Sequence, residues 1–221
     1  MSTERSEAKL ATVAGRRSDA EARGTREAIL RHAVDTASVD GLQGLTIGRL
    51  AADLEMSKAG VMGHFGSKEE LQLAALELAT TLFRDGVWQP VSGLAPGLDR
   101  LLGICEAWTS YADHPVLPGG CFIAAASFEW DGREGRVHDA VARVTALWRR
   151  VLMADVEQAV ADGDLPSDTD PAQVAFSLEA LASGMNPARQ LHGDADVAAW
   201  SLKAMHAVIG VPARERASAT G

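Results

Sequence analysis

The sequence predicts an all-α fold of about nine helices, and three observations carry that reading. Apolar residues recur three and four apart along most of the chain, with no alternating strand pattern. Several of the runs have Ser, Thr or Asp in front (Thr46, Ser57, Ser67, Asp170, Asp194), and Gly or Pro separates most of them, the signals that start and stop helices. Hydrophobic residues make up 47% of the 221, enough for a sizeable core. No stretch approaches about 18 uninterrupted apolar residues, so no membrane span is expected. No internal repeat is visible.

Residues 1–23 are small, polar and charged and are expected to form a disordered arm. A solvated tail is the simpler reading. Arg16, Arg17 and Arg23 also give it side chains able to reach phosphates. A first helix is expected from Thr25 to about Val39, with Ile29, Ala33 and Ala37 as its seam and Leu30 and Val34 beside it. Gly41 and Gly44 bracket a turn. Thr46 can cap a second helix whose buried stripe is Ile47, Leu50, Ala51 and Leu54. Ser57 caps a third, Lys58 to Phe65, with Val61 and Phe65 inward. Gly66 ends it, and Ser67 with Glu70 forms a capping box for a longer helix to about Gly86.

The rest of the chain is read the same way. Leu98 to Ala112, Cys121 to Trp130 and Gly135 to Asp162 are periodic runs between breaker-rich loops. Asp170-Pro171 opens a helix to Leu191, with a kink expected at Asn186-Pro187. Asp194 is expected to cap a last helix that stops at Gly210.

Charge is distributed unevenly. Residues 1–70 carry 10 Lys+Arg against 11 Asp+Glu, a net of −1. Residues 71–221 carry 11 against 19, a net of −8. An acidic body repels a phosphate backbone, so only the N-terminal end can face DNA. Cys105 and Cys121 are too few for a disulfide framework and match no zinc spacing. They are expected as reduced, buried thiols in a cytoplasmic protein, although the spacing does not forbid a redox pair.

The six histidines form no metal motif, and the chain has no G-x-S-x-G, no phosphate-binding glycine loop and no Rossmann fingerprint. An enzyme is therefore not expected, nor a metal or cofactor. An all-helical interaction or ligand-binding module without DNA binding is the other alternative. It would leave the block from Ser57 to Glu70 unexplained.

That block is the most informative stretch. Two short helices joined at a steep angle by a turn of a few residues describe a helix-turn-helix, whose second helix is sized for a DNA major groove. An ordinary corner between core helices has the same local pattern. Thr25-Arg26-Glu27-Ala28-Ile29-Leu30, Gly44-Leu45-Thr46, Met56-Ser57-Lys58 and His64 through Leu71 together resemble the N-terminal domain of TetR-family transcriptional repressors. The resemblance covers about a quarter of the chain, and its last block is the most specific.

The resemblance implies a sequence-specific DNA-binding regulator, a repressor released from a palindromic operator by a small, mostly apolar ligand. Its implied partners are double-stranded DNA, that effector and a second copy of the chain, with no membrane. Implied DNA contacts are Thr46, Ile47, Ser57, Lys58, Ala59, Gly60, Met62, Gly63, His64 and Lys68. Thr46 and Lys68 are the phosphate grips. Many members carry an aromatic where this chain has Met62, and often an aromatic or histidine at Gly63, so the base-reading face departs from the family. Gly60 and Gly63 also lower helix propensity by about 1 kcal/mol each relative to alanine.

The expected domains are the arm, a reader at 24–70, an effector and dimerisation body at 71–213, and a tail at 214–221. The resemblance implies a ligand pocket in the middle helices, for which Cys105, Trp108, Tyr111, Phe122, Phe128, Trp130, Trp148 and Met153 are the candidates, although core packing is the simpler role for each one singly. Glu106, Glu129 and His138 are candidate polar handles. The family dimerises through its last two long helices. That points to Phe176, Leu178, Leu181, Met185, Trp200, Leu202, Met205 and Ile209 as the interface, although both helices can also simply be buried.

Overall fold

The computed structural model describes residues 2–211, with side chains from residue 20 onward. Nine α-helices and no strand occur among the described residues. They are α1 (Ser2–Gly44), α2 (Ile47–Asp53), α3 (Lys58–Phe65), α4 (Lys68–Phe83), α5 (Leu98–Asp113), α6 (Phe122–Trp130), α7 (Arg136–Ala161), α8 (Pro171–His192) and α9 (Val197–Ile209). The candidate tail at 214–221 lies outside the described residues.

α1 begins earlier than Thr25. Where side chains are described, Ala20 to Gly24 are already helical and exposed. Ala, Glu and Arg are strong helix formers, and the single Gly24 does not end the run. Thr25 does not cap: its Oγ1 donates to the Glu21 carbonyl at 2.9 Å. The apolar stripe marks only the part of this helix that packs. The expected arm otherwise falls on residues whose side chains are not described, Arg16 and Arg17 included. α1 breaks at Gly41, where φ is +76°, a conformation costly for any residue with a Cβ.

Two apolar clusters organise the chain. The first gathers Ile29, Ala33 and Val34 of α1, Leu50 and Ala51 of α2, Val61 and Phe65 of α3, and Leu71, Ala75 and Ala79 of α4. It also includes Phe122, Ala126 and Trp130 of α6 and Val137 and Val141 of α7. The N-terminal core is therefore not closed at residue 70: α6 and the start of α7 complete it. The second cluster joins α5, α7, α8 and α9 around Leu101, Ile104, Leu152, Val156, Leu178 and Met205. Inside it, fully buried Asp155 accepts from the Arg100 guanidinium at 2.7 Å and from Gly97 N at 3.2 Å. A buried carboxylate is tolerable only with such partners.

Three further expectations are corrected. The helix expected to run to Gly86 leaves α geometry at Phe83 and continues as a π turn, Arg84–Trp88. Gly86 packs there against Tyr111, where a Cβ would sit 2.6 Å from Cδ2 of the ring. The capping box at Ser67 is half formed. Ser67 Oγ accepts from Glu70 N at 3.1 Å, but the Glu70 carboxylate takes Arg136 at 2.6 Å. Asp194 does not cap α9: Asp196 precedes that helix and makes no side-chain cap bond.

Candidate nucleic-acid interface and ligand cavity

α2 and α3 are too short to stand alone and are fixed from outside. Thr46 Oγ1 accepts from Arg49 N at 3.2 Å, and Ser57 Oγ accepts from Gly60 N at 3.0 Å. Between them Met56 N donates to Ala51 O at 2.8 Å, and Glu55 takes a left-handed φ of +53° to close the turn. Val61 and Phe65 are buried, and the Arg26 guanidinium lies 4.8 Å over the Phe65 ring. The opposite face of α3 is left to solvent: Ser57, Lys58, Ala59, Met62 and Gly63 are exposed, with Gly60 and His64 half-buried. Thr46 is exposed beside them.

Ile47 is half-buried and packs on the first cluster, so it offers DNA chiefly its backbone. Its N–H is one of those that a helix N-terminus leaves unpaired. Lys58 lies along α2, where a Cβ on Gly48 would sit 3.3 Å from its Cε. Lys68 is less free than expected. Its ammonium donates to the Gln43 carbonyl at 2.8 Å, which leaves two of its three donors. Arg49, absent from the sequence expectations, is half exposed on α2 and held by Asp40 and by Asp53 at 3.6 Å. Its place one turn into a capped helix was the available signal.

α6, α7 and α8 border a half-open cavity of about 930 Å³, with α4 and α5 supplying its inner wall. Phe83, Trp108 and Trp148 form an edge-to-face box, with centroids 5.1 to 5.9 Å apart. Arg149 donates to Glu179 at 2.7 Å and Arg84 to Asp85 at 3.0 Å, so the charged side chains near the cavity largely cancel in pairs. Among the described residues, the buried indole N–H groups of Trp130 and Trp148 have no acceptor. No group of three or more His, Cys, Asp or Glu among them is placed to hold a metal ion. No helix among them is long and apolar enough to cross a membrane.

Two family models match the chain. Residues 29–75 match "Bacterial regulatory proteins, tetR family", and residues 97–205 match "Tetracyclin repressor-like, C-terminal domain". The chain belongs to the TetR family.

Solved structures agree. A TetR transcriptional regulator from Chloroflexus aurantiacus is 25% identical, with 87% of this chain and 97% of that one covered at a TM-score of 0.79. A TetR-family regulator from Cytophaga hutchinsonii is 19% identical over 88% and 98% of the two chains, at 0.74. AibR, solved with isovaleryl coenzyme A and operator DNA, is 20% identical over 81% and 97%, at 0.68. No curated protein matches the sequence significantly. TetR-family proteins are DNA-binding transcriptional regulators rather than enzymes, and this chain is one of them.

Within this TetR-family body, four of the eight candidate pocket residues line the cavity: Trp108, Phe128, Trp130 and Trp148. The other four do not. Cys105 and Tyr111 are buried in the second cluster, Met153 packs against it, and Phe122 faces the first. Phe83, Trp88 and Cys121 line the cavity and were missed. Of the polar handles, His138 reaches the cavity, Glu106 is exposed, and Glu129 faces away from it toward α1. Of the eight candidate interface residues, Leu178, Met185, Met205 and Ile209 are buried inside their own subunit, with Leu181 and Leu202 packed against that core. Those four cannot touch a partner. Phe176 (63% exposed) and Trp200 (58%) remain at the surface, with Leu191 and Val208 as exposed apolar neighbours in sequence that were not anticipated.

Burial pushes the Cys105 thiol up to about 12 and raises Cys121 in the same direction. Both are therefore protonated at neutral pH, and a thiolate is what reacts. Iodoacetamide at pH 8 should leave Cys105, the fully buried thiol, unmodified in the folded protein and alkylate it after denaturation, as read by peptide mass. In the unfolded chain the thiols ionise near their ordinary 9.0. The folded state should accordingly lose stability as pH rises past 9.

Proposed function

We propose that the chain is a repressor, released from a palindromic operator by a bulky, mostly apolar ligand. The observation that carries the proposal is one arrangement. A capped helix, α3, turns a polar, uncharged-to-basic face to solvent at one end of the chain. An apolar cavity lies directly behind the helices that hold it. The reader spans 24–70 in this reading, and the body from 71 onward holds the ligand.

Ser57, Lys58, Ala59, Met62 and Gly63 enter the major groove, with Gly60 and His64 at its edges. Thr46, the backbone at Ile47 and the remaining donors of Lys68 meet phosphates. Met62 offers an apolar contact suited to a thymine methyl. The cavity lies in the upper part of the usual size range for small-molecule sites, roughly 300–1,000 Å³. Its aromatic box suits a bulky apolar body. That AibR is a TetR-fold protein with both a small molecule and operator DNA supports the pairing of the two partners. Two copies pair through the exposed apolar side chains of α8 and α9, since an operator half-site needs a second reader about one helical turn away.

Selection from a random DNA pool supplies the operator, and three measurements then test the reading. Lys68→Ala should weaken binding to all duplexes alike and make the salt slope shallower by about one unit. An unchanged slope removes Lys68 from the phosphate contacts. A panel of aromatic and long-chain ligands should include some that quench the fluorescence of the cavity tryptophans and release the duplex in the same concentration range. Quenching without release would sink ligand control. Phe176→Arg with Trp200→Arg should sediment as a folded monomer at micromolar concentration, and a persistent dimer would place the interface elsewhere.

A further inference from the structure

The structure points to a link between the cavity and the reader that runs through one carboxylate. After Gly41 breaks α1, the backbone N–H groups of Leu42 and Gln43 begin a new turn and have no acceptor within it. Glu129, on α6, takes both: Leu42 N donates to Oε2 at 2.8 Å and Gln43 N to Oε1 at 2.7 Å. These are charge-assisted bonds, stronger than those between neutral groups. The fit is close. A Cβ on Gly41 would lie 2.9 Å from Oε2, and Gly41 has the positive φ that lets it stand there without one. The turn so held leads through Leu45, fully buried, directly into Thr46 and α2.

α6 is also a wall of the cavity, and its two faces are distinct. Phe122, Ala126 and Glu129 fall at i, i+4 and i+7, and this face meets the N-terminal core. Ala124, Ser127, Phe128 and Asp131 lie on the other side and line the cavity. The helix has nine residues, a rod of roughly 13 Å. Its approach is tied down as well. Gly119 N donates to Ser38 Oγ at 3.0 Å, and a Cβ on Gly119 would be 1.8 Å from the Ser38 carbonyl oxygen. α6 thus touches the end of α1 before its start and near its finish. It cannot move away from the cavity without working against that contact.

We propose that Glu129 is a positioning residue: its carboxylate holds the α1–α2 turn, and through it the reader, in the DNA-binding register, and an occupant of the cavity acts on DNA affinity by displacing α6 and this carboxylate. The inference rests on the ligand-released reading above. It adds a path that does not depend on tilting α4.

The test uses the full chain and side chains as the cavity occupant, since Ser183 on α8 and Ala142 on α7 both line the space opposite α6. Ser183→Phe and Ala142→Phe are each made with and without Glu129→Gln. Amide exchange is followed at Leu42 and Gln43, and affinity is measured for the selected duplex. Glu129→Gln should speed exchange at these two amides about tenfold and weaken DNA binding by about the same factor, the scale of one charge-assisted bond. Glu129→Asp, which keeps the charge on a shorter arm, should fall between. The filling variants should speed exchange at the same amides and weaken binding. Added to Glu129→Gln, they should weaken it little further.

The proposal is overturned if the filled variants lose DNA affinity with both amides still protected, if they change neither quantity, or if their effects multiply with that of Glu129→Gln. Thermal melting separates a clamp from a fold defect: a general loss of structure would speed exchange throughout α4 and α5, and confinement to Leu42 and Gln43 is required. The exchange arm needs no DNA, so failure of the regulator reading and failure of this inference give different results.

Discussion

Everything at the DNA-binding end depends on one constraint: α2 and α3, seven and eight residues long, cannot hold helical form by their own hydrogen bonds. Their stability is borrowed from burial. Leu50, Ala51, Val61 and Phe65 reach the floor made by α1 and α4, and that floor extends into Phe122, Ala126, Val137 and Val141 of the body. The reader is seated on the same apolar cluster as two helices that border the cavity. Its position is a property of the whole cluster, which is close-packed and not continuously deformable.

The polar contacts at this seam converge on two residues. Leu42 and Gln43 have four backbone groups, and all four are taken by side chains from elsewhere in the fold. Glu129 accepts both N–H groups, Gln72 Nε2 donates to Leu42 O at 2.6 Å, and Lys68 Nζ donates to Gln43 O. A break at Gly41 would otherwise strand these groups in or near the core, at a cost of about 1–3 kcal/mol for each one left unpaired. Arg136 adds an ion pair from the start of α7 to Glu69 and Glu70 on α4. In the second cluster, Asp155 performs the equivalent task for Gly97 and Arg100. The two halves of the molecule are thus each pinned by a carboxylate on backbone N–H groups.

How much of this was legible in the sequence follows from what periodicity encodes. Helical spacing gives the faces of a helix, and caps give its ends, so α2, α3 and α8 are read nearly to the residue. Thr46, Ser57 and Asp170 all accept the backbone bonds their positions predict. Periodicity does not say which neighbour covers a face. Phe122 and Phe128 belong to one short apolar run, yet one enters the N-terminal core and the other the cavity rim. Leu178 and Phe176 are two apart on α8, yet one is in the core and the other in solvent. Cys105 and Trp108 are close on α5, but only the indole is long enough to reach the cavity. Glu129 was visible only as a lone acid in an apolar segment. Its partners are more than 80 residues away in sequence and are backbone groups, which carry no sequence signal.

The groove-facing surface follows from the same economy of contacts. Two glycines make α3 a poor helix by propensity, and Met62 and Gly63 place no aromatic side chain on its exposed face. A soft reading helix is workable only if something else sets its register. Here the caps at Ser57 and Ser67 and the left-handed turn at Glu55 fix the ends of the helix, and the seating of Val61 and Phe65 holds it from its buried face. Apart from Ser57, which caps the helix, the exposed face is thereby free of structural duty: none of Lys58, Ala59, Met62 or Gly63 is needed in the core. Such a face can change its base preference by substitution without endangering the fold. Meanwhile the net negative charge, −8 on residues 71–221 against −1 on residues 1–70, makes this end the less repulsive one for a phosphate backbone.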